Sequence, residues 1–242
     1  MTETLLLAAI LVPCLIVAIV FHEVAHGWMA LMLGDPTAKE QRRLSLNPIR
    51  HVDPIGTLLV PGALALFGGP IFGWAKPVPV NARRLNNPRY GMMAVAAAGP
   101  GTNLLLALIG AVIMGFFLPP IWGVGFSDTG LPIVVDGSGQ AESISSGLFL
   151  FILINVFLAL FNLLPIPPFD GSHILGGLLP RRYARHWQKA QGLGMVFFVV
   201  LIAATWAFPD SGIVENVVLP PVMWAQQVFA GIADAVARGI AG

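Results

Sequence analysis

Apolar residues along this chain come in long runs rather than in the short alternations of a half-buried strand or surface helix. Runs at about 5–33, 94–118, 147–164 and 192–208 are each long enough, or nearly so, for a spanning helix, since about 20 residues cross a hydrocarbon core of roughly 30 Å. Two further runs, 55–73 and 221–237, are ambiguous. Within 55–73, Pro61-Gly62, Gly68-Gly69-Pro70 and Gly73 argue against one straight helix, so this run reads as a re-entrant or membrane-edge element, with an ordinary span as the alternative. Within 221–237, Val222, Ala225, Phe229, Ile232 and Val236 share one helical face, the pattern of a helix lying in the interface. The pattern predicts an α-helical polytopic membrane protein with about five to six membrane helices plus a re-entrant or membrane-edge β element. One integral membrane domain over 1–242 is expected, with a core at about 5–180 and C-terminal helices at about 192–237.

Composition agrees. Hydrophobic residues make up 56% of the chain and charged ones 10%, and the mean hydropathy is +0.80. The 13 cations are confined to 39–89, 181–189 and Arg238, whereas 119–146 and 209–220 carry none. The positive-inside rule then puts the N-terminus and those two connections outside, and 34–91 and 180–191 in the cytoplasm. Leu5 onward reads as a retained span of a multi-pass cell-membrane protein, because a basic n-region and a small-residue cleavage site are missing. A net charge of +1 argues against a nucleic-acid partner, and the single Cys14 excludes an intramolecular disulfide. The basic stretch Arg181–His186 reads as a lipid-headgroup anchor.

The candidate chemistry lies inside the first run. His22-Glu23-Val24-Ala25-His26 puts two imidazoles four residues apart, on one face of a helix, with a carboxylate beside them. Shuffling this composition would give His-Glu-x-x-His roughly once in 500 chains. Burying these groups in hydrocarbon also costs several kcal/mol unless a metal or partner compensates. At ~25 Å of helix from Leu5, His22 falls in the cytoplasmic third of the membrane, so water must reach it through a polar cavity. Two histidines leave a zinc site short of a ligand. The isolated acid Asp170 follows Pro165, Pro167 and Pro168, which break the preceding helix and can turn a carboxylate back toward the first one; a helix cap at Gly171-Ser172 is the alternative.

Together, His22-Glu23-x-x-His26 and Asn162-x-x-Pro165-x-Pro167-x-x-Asp170-Gly171 resemble the site-2 protease family of intramembrane zinc metalloproteases. The resemblance implies one Zn2+ per chain held by His22, His26 and Asp170, with Glu23 as catalytic acid/base and Asn162 as the family's active-site asparagine. Ala98-Gly99-Pro100-Gly101-Thr102-Asn103 resembles the family's Gly-Pro-x-x-Asn element. It implies hydrolysis of peptide bonds within or near transmembrane segments of membrane-protein substrates. The 119–146 connection has no room for a PDZ domain.

The residues themselves suggest how such a reaction runs. Glu23 takes a proton from water and returns it to the leaving nitrogen, while the side-chain amide of Asn162, or second Asn103, stabilises the oxyanion; interhelical hydrogen bonding is the alternative for both. An unwound substrate needs a strand edge. In Ala75–Asn81, Pro77 and Pro79 silence one edge while Val78 and Val80 keep donors on the other, unless the stretch is a proline-rich loop. His51 and His173 read as surface groups or supports for ligands. A di-iron oxidase, a cation transporter and an inactive protease-like binding protein are the competing functions.

Overall fold

The computed structural model describes residues 2–66, 73–127, 130–208, 212, 216 and 219–241. Its α-helices are α1 (Thr2–Met32), α2 (Thr37–Glu40), α3 (Val60–Leu66), α4 (Pro88–Gly115), α5 (Ser143–Asn162), α6 (Asp170–Leu178), α7 (Arg181–Gly192), α8 (Gly194–Ala207) and α9 (Leu219–Ala241). An antiparallel hairpin joins β1 (Trp122–Phe126) to β2 (Pro132–Asp136), with Val124 opposite Val134. By contact the chain divides into two compact units: Met1–Ala18, Asn103–Leu160 and Val218–Gly242 form the first, Ile19–Thr102 and Phe161–Val217 the second.

The protein is a predominantly helical, polytopic membrane protein, but fewer of its described helices have the length and composition of a span than the hydropathy runs imply. Among the described residues three helices are long and apolar enough to cross, over Ala9–Met32, Pro88–Gly115 and Ser143–Asn162. The run at 192–208 forms α8, whose 14 residues extend only ~21 Å. Helix α9 is 23 residues long but falls outside that set, as its polar face would suggest. Within 55–73 the described part is helical: a π-helical turn over Pro54–Leu59 runs into α3, and residues 67–72 lie outside the described residues. The hairpin falls instead in the 119–146 connection.

Packing in the first unit leaves large apolar side chains on the outside as well as in the core. Helix α4 buries Ala107, Ala111 and Met114 in one cluster with Phe149, Ile152 and Val156, while Leu105, Leu108 and Ile109 stay exposed, as a surface against lipid allows. Gly115 is needed where it stands, because a Cβ there would lie 2.6 Å from the Ala233 carbonyl oxygen of α9. A polar contact in this core is interhelical: the Asn103 amide donates to Asn155 Oδ1 at 2.8 Å and to the Ala18 carbonyl at 3.1 Å. The hairpin is tied in by Trp122 Nε1–H, which donates to Asp234 Oδ1 of α9.

The second unit gathers the end of α1, the start of α4 and helices α6 to α8. Ala30, Leu85 and Val95 form its apolar cluster. Arg89 donates from Nε to the Gly177 carbonyl and from Nη2 to the Leu179 carbonyl, so the start of α4 caps the end of α6. Trp187 of α7 donates to the Ser172 carbonyl at 2.8 Å. Asp35, past the end of α1, accepts from Thr37 and from the Asn81 main-chain N–H; burial opposes its charge, but these bonds hold its carboxyl below the usual range.

Asn103→Ala removes a buried donor and is expected to destabilise the protein by about 1–2 kcal/mol. Thermal unfolding in detergent measures it, with Leu105→Ala on the lipid-facing side as the comparison; a smaller loss for Asn103→Ala than for Leu105→Ala would refute the assignment.

Candidate metal centre and active site

Helix α1 sets the first two groups. Its buried side carries Val20, His22, Val24, His26 and Ala30, so the two imidazoles lie one turn apart against protein. Asp170 arrives from a different part of the chain. The prolines after Asn162 end α5, and Phe169 in the turn that follows is clamped between the rings of Phe161 and Phe198. Gly171 lets α6 begin hard against that turn: a Cβ would lie 2.2 Å from the Leu163 carbonyl oxygen. Asp170 is the first residue of α6, and the helix has no side-chain cap; its carboxylate points to the histidines instead, which removes the capping alternative.

Three atoms converge. His22 Nε2 and His26 Nε2 are 3.0 Å apart, and Asp170 Oδ2 lies 3.2 and 3.3 Å from them. Ligand atoms 2.0–2.1 Å from a tetrahedral zinc are separated by about 3.3 Å, so this triangle has the size of one face of that tetrahedron. The proton inventory supports the same conclusion. His26 Nδ1 is 2.7 Å from the Val95 carbonyl, which can only accept, so Nδ1 carries a proton and Nε2 is the ring atom left to face the other two atoms. Asp170 Oδ2 is buried without a regular hydrogen bond, and its approach to the histidines is an ion-pair distance only. Burial pushes the Asp170 carboxyl up, but the imidazoles outweigh it and bring it to about 2.

Room for an ion comes from α4. A Cβ at Gly99 would stand 2.5 Å from His26 Nε2 and 2.6 Å from His22 Nε2, hard against both imidazole nitrogens. Two imidazoles and a carboxylate are also a donor set that zinc takes in hydrolases. Among the described residues this is the one group of three or more potential metal ligands. The residues therefore fit a single zinc ion.

A cavity of about 370 Å³ opens beside the triangle, lined among others by Glu23, Val78, Val80, Asn162 and His173. Burial holds the His173 imidazole below its usual pKa, and its Nδ1 is 3.3 Å from Gln191 Nε2. Both donors of the Asn103 amide go to partners within the first unit, Asn155 and Ala18, which is the interhelical bonding considered as its alternative. His51 is 3% exposed, its Nε2 at 2.8 Å from the Ser45 carbonyl, and is therefore a buried support of the loop rather than a surface group.

The strand-edge expectation needs correcting in its detail. Residues 75–81 belong to no sheet, and the Val78 N–H is not open: it donates to Glu23 Oε2 at 2.8 Å. Nothing in the residue pattern signals this bond, or the Val95 carbonyl behind His26, because both involve main-chain groups brought in from far along the chain. Gly99 stood in a recognisable element, yet its spatial task was hidden.

Gly99→Ala is expected to weaken zinc binding by at least about 10-fold, the lower end for disturbing a metal ligand's surroundings. Gly101→Ala, where a Cβ meets nothing within 4 Å, serves as the control. Zinc titration of the two variants checks this, and equal affinities would show that α4 does not shape the site.

Comparison with known proteins points to a zinc metalloprotease family. The profile of Peptidase family M50 matches residues 10–205. A Bacillus subtilis (strain 168) protein named "Putative zinc metalloprotease YwhC" is 41% identical over 195 residues, covering 79% of this chain and 78% of that protein. Proteins named "Putative zinc metalloprotease Rip2" are 26% identical over 214 residues in Mycolicibacterium smegmatis and 25% over 209 in Mycobacterium tuberculosis strain H37Rv, each covering 82% of this chain and 72% of the relative. No solved structure matches the chain. With most of its length inside the family profile and its histidines and aspartate forming one zinc-sized triangle, the chain belongs to Peptidase family M50.

Proposed function

We propose that the protein is a zinc metalloendopeptidase that hydrolyses peptide bonds within or near the transmembrane segments of other membrane proteins. The observation that carries this reading is the triangle of His22, His26 and Asp170 with Glu23 beside it, lining a cavity in a chain whose helices are apolar enough to span a bilayer. His22, His26 and Asp170 would hold one zinc ion, which when bound supplies Lewis acidity toward a water and a carbonyl oxygen.

The remaining steps belong to the chain's own side chains. Glu23 accepts a proton from the attacking water as the water's oxygen adds to the scissile carbonyl carbon. It then delivers that proton to the leaving nitrogen as the carbon–nitrogen bond breaks, giving a carboxylic acid and an amine. Asn162, at the end of α5 and lining the cavity, is the candidate donor to the oxyanion. A substrate must be locally unwound to enter, because a spanning helix keeps its backbone groups internally bonded. Val80, on the same lining as Val78, would offer the unwound stretch a main-chain donor, since the Val78 N–H is already taken.

The distribution of cations supports an active site on the cytoplasmic side of the cell membrane, with the hairpin outside. Cysteine labelling tests the orientation in a Cys14-free background. A Cys at Gly130 is expected to react with an impermeant reagent in intact cells and one at Arg84 to stay protected; the opposite result reverses the topology.

Metal binding and catalysis should separate by substitution. His22→Ala and His26→Ala are expected to lose zinc and activity together, because two protein ligands are too few for a tight site. Asp170→Asn should weaken zinc and strongly reduce turnover. Glu23→Gln should keep zinc near one per chain while turnover falls at least ~100-fold, the lower end of what general acid–base catalysis contributes. Elemental analysis beside cleavage of a membrane-embedded test substrate decides it, and unimpaired cleavage by Glu23→Gln would sink the hydrolytic mechanism.

A further inference from the structure

The segment leading to Val78 is held as a strand would be, one alternate residue at a time. The Trp74 N–H donates to the Gly56 carbonyl at 3.0 Å, and the Lys76 N–H to the His51 carbonyl at 2.9 Å. The Lys76 carbonyl in turn accepts from Arg43 at 2.7 Å. Two residues on, the partner changes: the Val78 N–H donates at 2.8 Å to a side chain, Oε2 of Glu23. The Asn81 N–H then donates to Asp35 Oδ2 at 2.6 Å. Every second main-chain donor from 74 to 78 thus has its own acceptor, and the third acceptor is the carboxylate next to His22.

This third contact is built to stay in place. Val78 is 7% exposed, and its side chain packs on α1 so closely that a Cβ at Gly27 would come within 2.9 Å of Val78 Cγ1. Pro77 and Pro79 lack N–H groups and restrict the backbone on both sides, leaving Val78 as the one donor of the Pro-Val-Pro stretch. A glutamate has three side-chain torsions, and one fixed hydrogen bond at its tip removes most of that freedom.

We infer that the main-chain N–H of Val78 is a positioning group for the catalytic base: it holds Oε2 of Glu23, so that the other carboxylate oxygen is the one that exchanges protons with water and the leaving nitrogen. This rests on Glu23 being the base. A general base contributes only when its oxygen is within hydrogen-bond reach of the proton, so a freely rotating Glu23 would forfeit part of its effect. The role assigns Val78 to Glu23 rather than to substrate, and the two roles differ in what they change. Loss of a substrate contact raises KM, whereas loss of alignment lowers kcat.

The test uses the full chain in detergent and two independent readouts. The first is amide hydrogen exchange in a peptide spanning residues 75–80, where the two prolines leave few amides to confuse the signal. Glu23→Ala should speed exchange of one amide about tenfold, and Glu23→Gln, which keeps an acceptor oxygen, should leave it protected. Unchanged exchange in Glu23→Ala overturns the inference, and this arm stands even if a Val78 variant fails to fold. The second readout is kinetic. Val78→Pro should keep zinc near one per chain and KM near wild type while kcat falls at least about tenfold, and Val78→Ala, which restores the N–H, should recover most of that loss. Equal loss of kcat in both variants, or a raised KM with kcat intact, overturns the inference. Full turnover by Glu23→Gln would instead sink the reading of Glu23 as base; an inactive Glu23→Gln beside a fully active Val78→Pro would sink this inference alone.

Discussion

Two imidazole nitrogens and a carboxylate oxygen within 3.3 Å of one another, inside an apolar protein, form a contact that desolvation opposes unless a proton or a metal cation sits among them. Much of the second unit follows from meeting that constraint. The carbonyl of Val95 fixes the His26 tautomer, Gly99 keeps α4 from filling the ion's place, and Gly171 lets α6 start close enough for Asp170 to reach. None of these three can be moved without moving a ligand. The prolines before Asp170 serve the same end, stopping α5 so that the chain can turn back.

The apolar packing around this polar centre obeys membrane rules. In the first unit, Ala107, Ala111 and Ala233 are buried beside Met114, Phe149 and Ile152, while Leu105, Leu108 and Ile109 stay exposed, because leaving large apolar groups outside costs little when the solvent is itself hydrocarbon. Close approach then brings dispersion contacts and allows a buried amide pair, Asn103 with Asn155, to join helices. An asparagine in such a setting is structural by default. The Asn162 side chain differs in lining the cavity beside Glu23.

Segment 74–81 links loop and site. Its donors are spent in turn on Gly56, His51 and Glu23, so a stretch that looks like an edge for an incoming strand is, in this conformation, partly an internal support. A carboxylate held at one oxygen and free at the other is oriented without being neutralised, which is what a proton shuttle requires.

The sequence alone determined the membrane class, the helical pair of histidines, the carboxylate beside them and the candidate third ligand, because these depend on local spacing and on the cost of polar groups in apolar runs. It overstated the spans: hydropathy marks 192–208 as a helix but cannot see that α8 ends after 14 residues. It ranked Asn162 before Asn103 but left interhelical bonding open for both, since an amide's partners are set by which helices meet. What only the tertiary structure decided were contacts between main-chain groups and residues far away: Val95 with His26, Val78 with Glu23, and the gap at Gly99. Backbone donors and an absent side chain are the same at every position of a sequence, so their roles arise only when folding brings a particular neighbour against them.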